Sequence, residues 1–303
     1  HVVLTAGDKK VGVFGLDTPE TATKAHPAKI AGVTFAANDE MFKIAQSEVN
    51  TLKAAGCDYI ICLGHLGIDA ETAAERNRSI DLLGKVTGID VFIDGHSHST
   101  LEKVQEATAA GKVGDTYVTS TGTKLANIGV VILDGETVTI ESVSADRVTV
   151  AEGDAIAARA AAIQKEIDDA YGVAFAKSEV ELNGNKAPGN RTEETNLGDL
   201  ICDSLVWGAK KAGTEVDAAI TNGGGIRAAI KAGDITKKDV NTVLPFGNTL
   251  NIVQVTGNEL LEALEASTYC TPEAIGGFPQ VSGIQFTVDT AKSFDEGALF
   301  PGS

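Results

Sequence analysis

The sequence predicts an α/β first half followed by an α+β second half. Three observations carry this. Two short apolar runs, DYIICLG (58–64) and DVFIDG (90–95), each follow a stretch of helical periodicity that stops at a glycine. Strand, helix and strand in about 35 residues is the spacing of a crossover between parallel strands. Beyond residue 123 the period changes to alternation about an Asp-Gly turn, and beyond residue 190 helix and strand signals mix without a repeat.

Taken in order, KVGVFGL (10–16) is the first strand candidate. From Asp39 to Ala55, Phe42, Ala45, Val49 and Leu52 recur at helical spacing, with Gly56 as the stop. The run 58–64 has the unbroken apolar character of a strand buried on both faces. A second helix covers roughly 71–87 and ends at Gly88, and 90–95 repeats the buried-strand pattern. After TYVTSTGT (116–123), apolar alternation around Asp134-Gly135 predicts an antiparallel hairpin closing the domain. Residues 153–171 form a helix with Ile156, Ile163, Ile167 and Tyr171 on one side, read as the link between domains. Asn196 is placed to cap a helix carrying Leu197, Leu200, Ile201 and Leu205 and ending at Gly213. The strand VDAAIT (216–221) runs into NGGGIR (222–227), and NIVQVTGNELLEALEAS reads as a strand, a cap at Thr256 and a helix.

Composition narrows the function. Of 303 residues, 43% are hydrophobic, which suits a folded chain with one large or two ordinary cores. No stretch nears the roughly 18 apolar residues of a membrane span. A formal net charge of −17 argues against nucleic-acid binding, and it requires cations or arginines wherever an anionic substrate docks. Cys57, Cys62, Cys202 and Cys270 show no CxxC pairing and read as small core residues rather than ligands or disulfides. The chain opens on His1 and its one methionine is Met41, so the expectation is that it starts within a longer translation product.

The chemistry concentrates at strand ends. GHLG delivers His65 after one apolar run, and GHSHS delivers His96 and His98 after the next. Parallel strands end on one edge, where open α/β folds bind ligands. Residues two apart in extended chain point the same way, so His96 and His98 are expected to face one site. Neutral imidazole suits zinc, manganese or iron. A lone His65 is more often a core or surface histidine than a ligand, and an HxH by itself occurs by chance; three histidines on two neighbouring strand ends favour a metal site. His26 and His1 receive no role.

GHLGID (64–69) and GHSHS (95–99) resemble the last two motifs of the calcineurin-like metallophosphoesterases. TNLGDL, TNGGGIR and LPFGNTL resemble the C-terminal domain of the secreted 5′-nucleotidase and UDP-sugar hydrolase family, and VGVFGLDTPET fits the same family. The resemblance implies two divalent metal ions, zinc, manganese or similar. His65 and His96 would ligate one and His98 the other. It also implies that Arg191 and Arg227 hold the phosphate and ribose region, that Asn222 lies near the base, and that Phe246 is one of two aromatics sandwiching it. Guanidinium forks suit phosphate oxygens, an aromatic face suits any base, and three glycines would expose backbone N–H groups. On residue type alone, both arginines also fit ordinary surface positions and Phe246 a core position.

The resemblance sets the expected layout. Residues 1–148 would be the C-terminal part of a metallophosphoesterase sandwich-type domain, 149–172 a linker helix near a hinge, and 173–303 a nucleotide-binding domain incomplete at its end. The family's earlier metal motifs, DxH and GNHE or GNHD, precede the matched region, so catalytic residues are expected upstream of His1 and the chain alone is expected to be nearly inactive. Hydrolysis of nucleotide phosphate esters is the implied activity. A 2′,3′-cyclic nucleotide phosphodiesterase, a UDP-sugar hydrolase, a thiosulfohydrolase and a non-catalytic nucleotide-binding surface protein are the alternatives. The implied partner is a nucleotide substrate, with no nucleic acid and no membrane span, and the implied location is extracellular, cell-wall or periplasmic.

Overall fold

The computed structural model describes residues 1–69 and 77–293, and it divides into two units, 1–149 and 150 onward. In the first unit a six-stranded sheet has the order β1-β2-β3-β4-β6-β5. Its strands are β1 (Val2–Ala6), β2 (Lys9–Asp17), β3 (Tyr59–His65), β4 (Val91–Ile93), β5 (Lys112–Val113) and β6 (Thr116–Thr119). β2, β3, β4 and β6 are mutually parallel, and the two outermost strands pair antiparallel to their neighbours. The α/β class read from the sequence is therefore borne out.

Helix α3 (Asn38–Ala54) follows the four-residue turns α1 (Thr21–Lys24) and α2 (Pro27–Ile30), the latter capped by His26. Its buried face is Met41, Ala45, Val49 and Leu52, with Phe42 only partly buried. These pack on Phe14, Ile60, Cys62 and Phe92 from the sheet, each fully buried large side chain contributing about 2 kcal/mol. The helix lies close because Gly12 has no Cβ; one there would stand 2.9 Å from Leu52. β3 departs from expectation, since Ile61 is half-buried and Leu63 exposed. The helix-covered face is closed, whereas on the other Tyr59 is held by a hydrogen bond to the Gly135 carbonyl.

Of the helix expected over 71–87, residues 71–76 lie outside the described residues, and α4 covers only Ser79–Leu83. After α5 (Leu101–Ala107), the hairpin forms with β7 (Asn127–Asp134) and β8 (Thr137–Ser144) as a separate two-stranded sheet, in the register Asp134↔Thr137.

The second unit starts with α6 (Ala155–Tyr171). Its expected apolar side is open: Ile156, Ile163, Ile167 and Tyr171 are all exposed. Asp168 pairs with Lys238 on α8 (Lys237–Val243) at 2.6 Å. Two small antiparallel sheets follow, β9 (Ala174–Ser178) with β11 (Gly233–Thr236), and β10 (Ala219–Asn222) with β12 (Pro279–Ser282). Helix α7 (Asn196–Lys211) packs on the second, and a core of Leu182, Leu197, Ile201, Ile226, Ile230, Ile235 and Val243 fills the interior.

Three further sequence expectations need correction here. The cap of α7 is Thr195, whose extended backbone lets Oγ1 accept from Gly198 N–H; the Asn196 amide is occupied by Asn183 N–H and the Glu181 carbonyl. Leu200 is exposed, and the buried stripe runs through Leu197, Gly198, Ile201, Cys202 and Ala209. No strand forms at 251–255, where Ile252, Val253 and Val255 are exposed without a partner strand among the described residues. The cap at Thr256 does form, as a box with Glu259 at the start of α9 (Gly257–Thr268). Cys62 and Cys202 are buried and Cys57 and Cys270 half-buried. Burial pushes the Cys202 thiol up to about 11. No described helix is long and apolar enough to cross a membrane.

Candidate functional site

Three parallel strands end together in the first unit. The last residues of β2 and β3 are in register, Asp17 with His65, and β4 runs beside β3 with Leu63 opposite Ile93. His65 closes β3, and His96 stands three residues past the end of β4. Their ring centroids are 5.0 Å apart at an interplanar angle of 59°. Gly95 makes room for this: a Cβ there would stand 3.1 Å from His65 Nδ1.

Asp94 holds the two strand exits together. Its Oδ1 accepts from the N–H groups of Leu66, Gly67 and Gly95, at 3.0, 3.2 and 2.8 Å. Its Oδ2 is buried with no hydrogen-bond partner among the described residues. Ser97 adds a tie by accepting from Ile68 N–H.

The HSH segment is not extended. His96 has φ 71° and His98 φ 56°, and Ser97 N–H bonds back to the Gly95 carbonyl at 2.9 Å. The period-two argument for a shared direction therefore does not apply, since it requires β backbone. His98 sits two residues beyond His96 and is exposed, whereas His96 is half-buried.

One residue here escaped the sequence reading. Glu20, three residues past the end of β2, is 5% exposed, and its Oε2 lies 3.1 Å from His96 Nε2 and also pairs with Lys24. Burial pushes this carboxyl up, but the hydrogen bonds from His96 and Lys24 outweigh burial and hold it below the usual range. The hydrogen bond that His96 donates to Glu20 raises the His96 pKa against its own burial. The available signal was positional: Glu20 and His96 share one offset from the ends of parallel strands.

The donor set suits a divalent d-block ion, with two neighbouring imidazoles, one of them backed by a carboxylate. Among the described residues, no three His, Cys, Asp or Glu side chains form a group able to hold a metal by themselves.

In the second unit the remaining candidates lie along a continuous chain of contacts. The Arg191 carbonyl accepts from Ile275 N–H at 3.2 Å. The next residue, Gly276, accepts from the Asn222 amide at 3.1 Å and from Gly224 N–H at 2.8 Å. Gly224 in turn accepts from the Arg227 guanidinium at 3.1 Å, and that guanidinium lies 5.6 Å from the centre of the Phe246 ring. Phe246 is 60% exposed, so it is not a core residue and its ring can take another flat group.

The glycines act differently from expectation. Gly223 and Gly224 donate their N–H groups to the carbonyls of Phe278 and Gly276, so neither is offered to a ligand. Their lack of a side chain is used for packing: a Cβ on Gly223 would stand 1.8 Å from the Asn190 carbonyl oxygen.

Beneath this loop cluster lies Gln280, 1% exposed and unforeseen from sequence. Its Nε2 donates to the carbonyls of Asn190 (3.1 Å) and Glu193 (2.8 Å), and its Oε1 accepts from Thr195 N–H (3.1 Å). The amide fits because α7 passes it with Gly198, where a Cβ would be 1.9 Å from Oε1.

The family model for the 5′-nucleotidase C-terminal domain matches residues 173–297. The trifunctional nucleotide phosphoesterase protein YfkN of Bacillus subtilis (strain 168) is 34% identical over 296 residues, covering 95% of this chain and 19% of that protein. Snake venom 5′-nucleotidase of Crotalus adamanteus is 28% identical over 318 residues, covering 96% of this chain and 52% of that protein. A crystal structure of a 5′-nucleotidase precursor from Thermus thermophilus superposes with a TM-score of 0.77 at 31% identity, over 97% of this chain and 58% of that one. The chain thus spans a fifth of the first relative and about half of the other two. The resemblance carried by the sequence motifs is borne out.

Proposed function

Residues 173–297 match the family model for the 5′-nucleotidase C-terminal domain, and from that premise we propose that this chain is part of a metal-dependent phosphoesterase cleaving phosphate from nucleotides. The observation that carries the reading is the meeting of His65 and His96 at one sheet edge, with the two strand exits fixed by Asp94. In this reading His65 and His96 hold one divalent ion and His98 a second. The bound ions would polarise the phosphate and activate water for in-line attack.

The second unit supplies binding. Arg227 presents a guanidinium whose Nη1 is fixed on the Gly224 carbonyl, which suits oxygens of a sugar or phosphate. Phe246 offers an exposed ring for a nucleobase, Asn222 is anchored through Gly276, and Arg191, whose carbonyl accepts from Ile275 N–H, is a further anion-binding group. Against a net charge of −17, these two arginines are the local cations an anionic substrate requires.

Two metal ions need more donors than three histidines. We place the rest outside residues 1–303, so this chain by itself hydrolyses nucleotides poorly. A location outside the cytoplasm is part of the same reading, supported by the similarity to a venom enzyme.

In the full-length protein, His98→Ala is expected to reduce bound metal and to lower AMP hydrolysis at least about 100-fold. Turnover at the wild-type rate in that variant would sink the ligand assignment. A broader substrate range is a second reading, favoured by the 34% identity to a protein named as a trifunctional nucleotide phosphoesterase. A panel of nucleoside 5′-phosphates, 2′,3′-cyclic phosphates and UDP-sugars separates the two.

A further inference from the structure

We propose that Glu20 is a positioning residue for His96, selecting which imidazole nitrogen is available to a metal ion. The proposal rests on the metal reading of the histidine cluster. Glu20 reaches the site from a third strand. β2 ends at Asp17, in register with His65, and the Thr-Pro-Glu turn carries the carboxylate to His96. The turn is fixed locally, since the Glu20 N–H donates to buried Thr18 Oγ1 at 3.3 Å.

A carboxylate has no proton to give, so in the 3.1 Å contact His96 Nε2 is the donor and Glu20 Oε2 the acceptor. In the neutral ring the proton then resides on Nε2, and the lone pair on Nδ1 becomes the only ligand atom. The ring edge beside Nε2 is also set: a Cβ on Gly67 would stand 3.3 Å from His96 Cδ2, so the ring lies tight against that backbone. Lys24 pairs with the same Oε2 and compensates the charge of a carboxylate that is only 5% exposed. Without such a partner, a buried carboxylate would carry a heavy desolvation cost. An outer carboxylate on a ligating histidine fixes tautomer and ring orientation in metal sites generally. Here Glu20 is that carboxylate.

The test is ring-nitrogen NMR on the full-length protein, at alkaline pH where the imidazole is neutral, before and after adding zinc ion alone. His96 is expected as the Nε2–H tautomer, with zinc shifting its Nδ1. In Glu20→Gln, whose amide can either donate or accept, the tautomer preference should collapse towards a mixture, and zinc affinity by calorimetry should fall about 10-fold or more. His65 should retain its wild-type ring signals in that variant, which separates loss of positioning from loss of fold. An Nδ1–H tautomer in the wild type, or a zinc shift on Nε2, would overturn the role of Glu20 while leaving the metal reading intact. If zinc perturbs neither His65 nor His96, the metal reading itself fails and this proposal falls with it.

Discussion

The two units arrange their candidate residues by opposite means. In the first, the histidines sit on or just beyond strands of a parallel sheet, and a buried carboxylate fastens the exits to one another. In the second, the candidates ride on loops and turns, Phe246 projects into solvent, and the bracing comes from a neutral amide one layer below. The contrast follows from the ligands each would take. A metal ion tolerates little error in donor position, so its donors need a rigid frame and restricted ring orientation. A nucleobase needs an accessible flat surface, and stacking tolerates sliding.

This contrast can be tested by removing the braces. The largest effect is expected at Gln280. Changing it to Leu strands the carbonyls of Asn190 and Glu193 and the N–H of Thr195, at about 1 kcal/mol each, so the second unit should lose about 3 kcal/mol. Chemical denaturation followed at Trp207, which lies on α7, reports this, and an unchanged midpoint would mean that the amide does not brace the loops. Asp94→Ala should cost the first unit about 2 kcal/mol, less than Gln280 because the half-exposed Gly95 can recruit water and one buried charge is removed. Hydrogen exchange at Leu66 and Gly67 should quicken; protection as in the wild type would show that the strand exits hold without it. The smallest effect on stability belongs to Phe246→Ala, within about 0.5 kcal/mol, since the ring is mostly in solvent. The same change should weaken AMP binding by about 1–3 kcal/mol, the range for one base stacked on one aromatic. A large stability loss with unchanged binding would reverse the contrast.

Much of the frame was legible because burial leaves a periodic trace. Ala45, Val49 and Leu52 declared α3, and the two apolar runs declared β3 and β4 within a residue or two. The strand ends then located His65 and His96 without any structure. What stayed hidden was polar and non-local. Glu20 lies 76 residues from its partner His96, and Gln280 lies 90 from Asn190, so neither pair produces a period or a spacing. Gln280 gave no usable signal, because an amide buried among backbone groups reads in sequence like any strand polar residue. The run from Ile252 to Val255 misled in the opposite direction: it alternates like a strand, but alternation cannot supply the pairing partner that a strand requires.

His96 and His98 both hold left-handed backbone, which costs a side-chain-bearing residue about 1 kcal/mol relative to glycine. Directed evolution for heat resistance would therefore be drawn to glycine or asparagine at these two positions. Each such winner would melt later and have lost an imidazole. A library built on this scaffold should be scored for retention of both imidazoles as well as survival on heating, or it will be enriched in sturdy proteins that have lost two of the three histidines proposed as ligands.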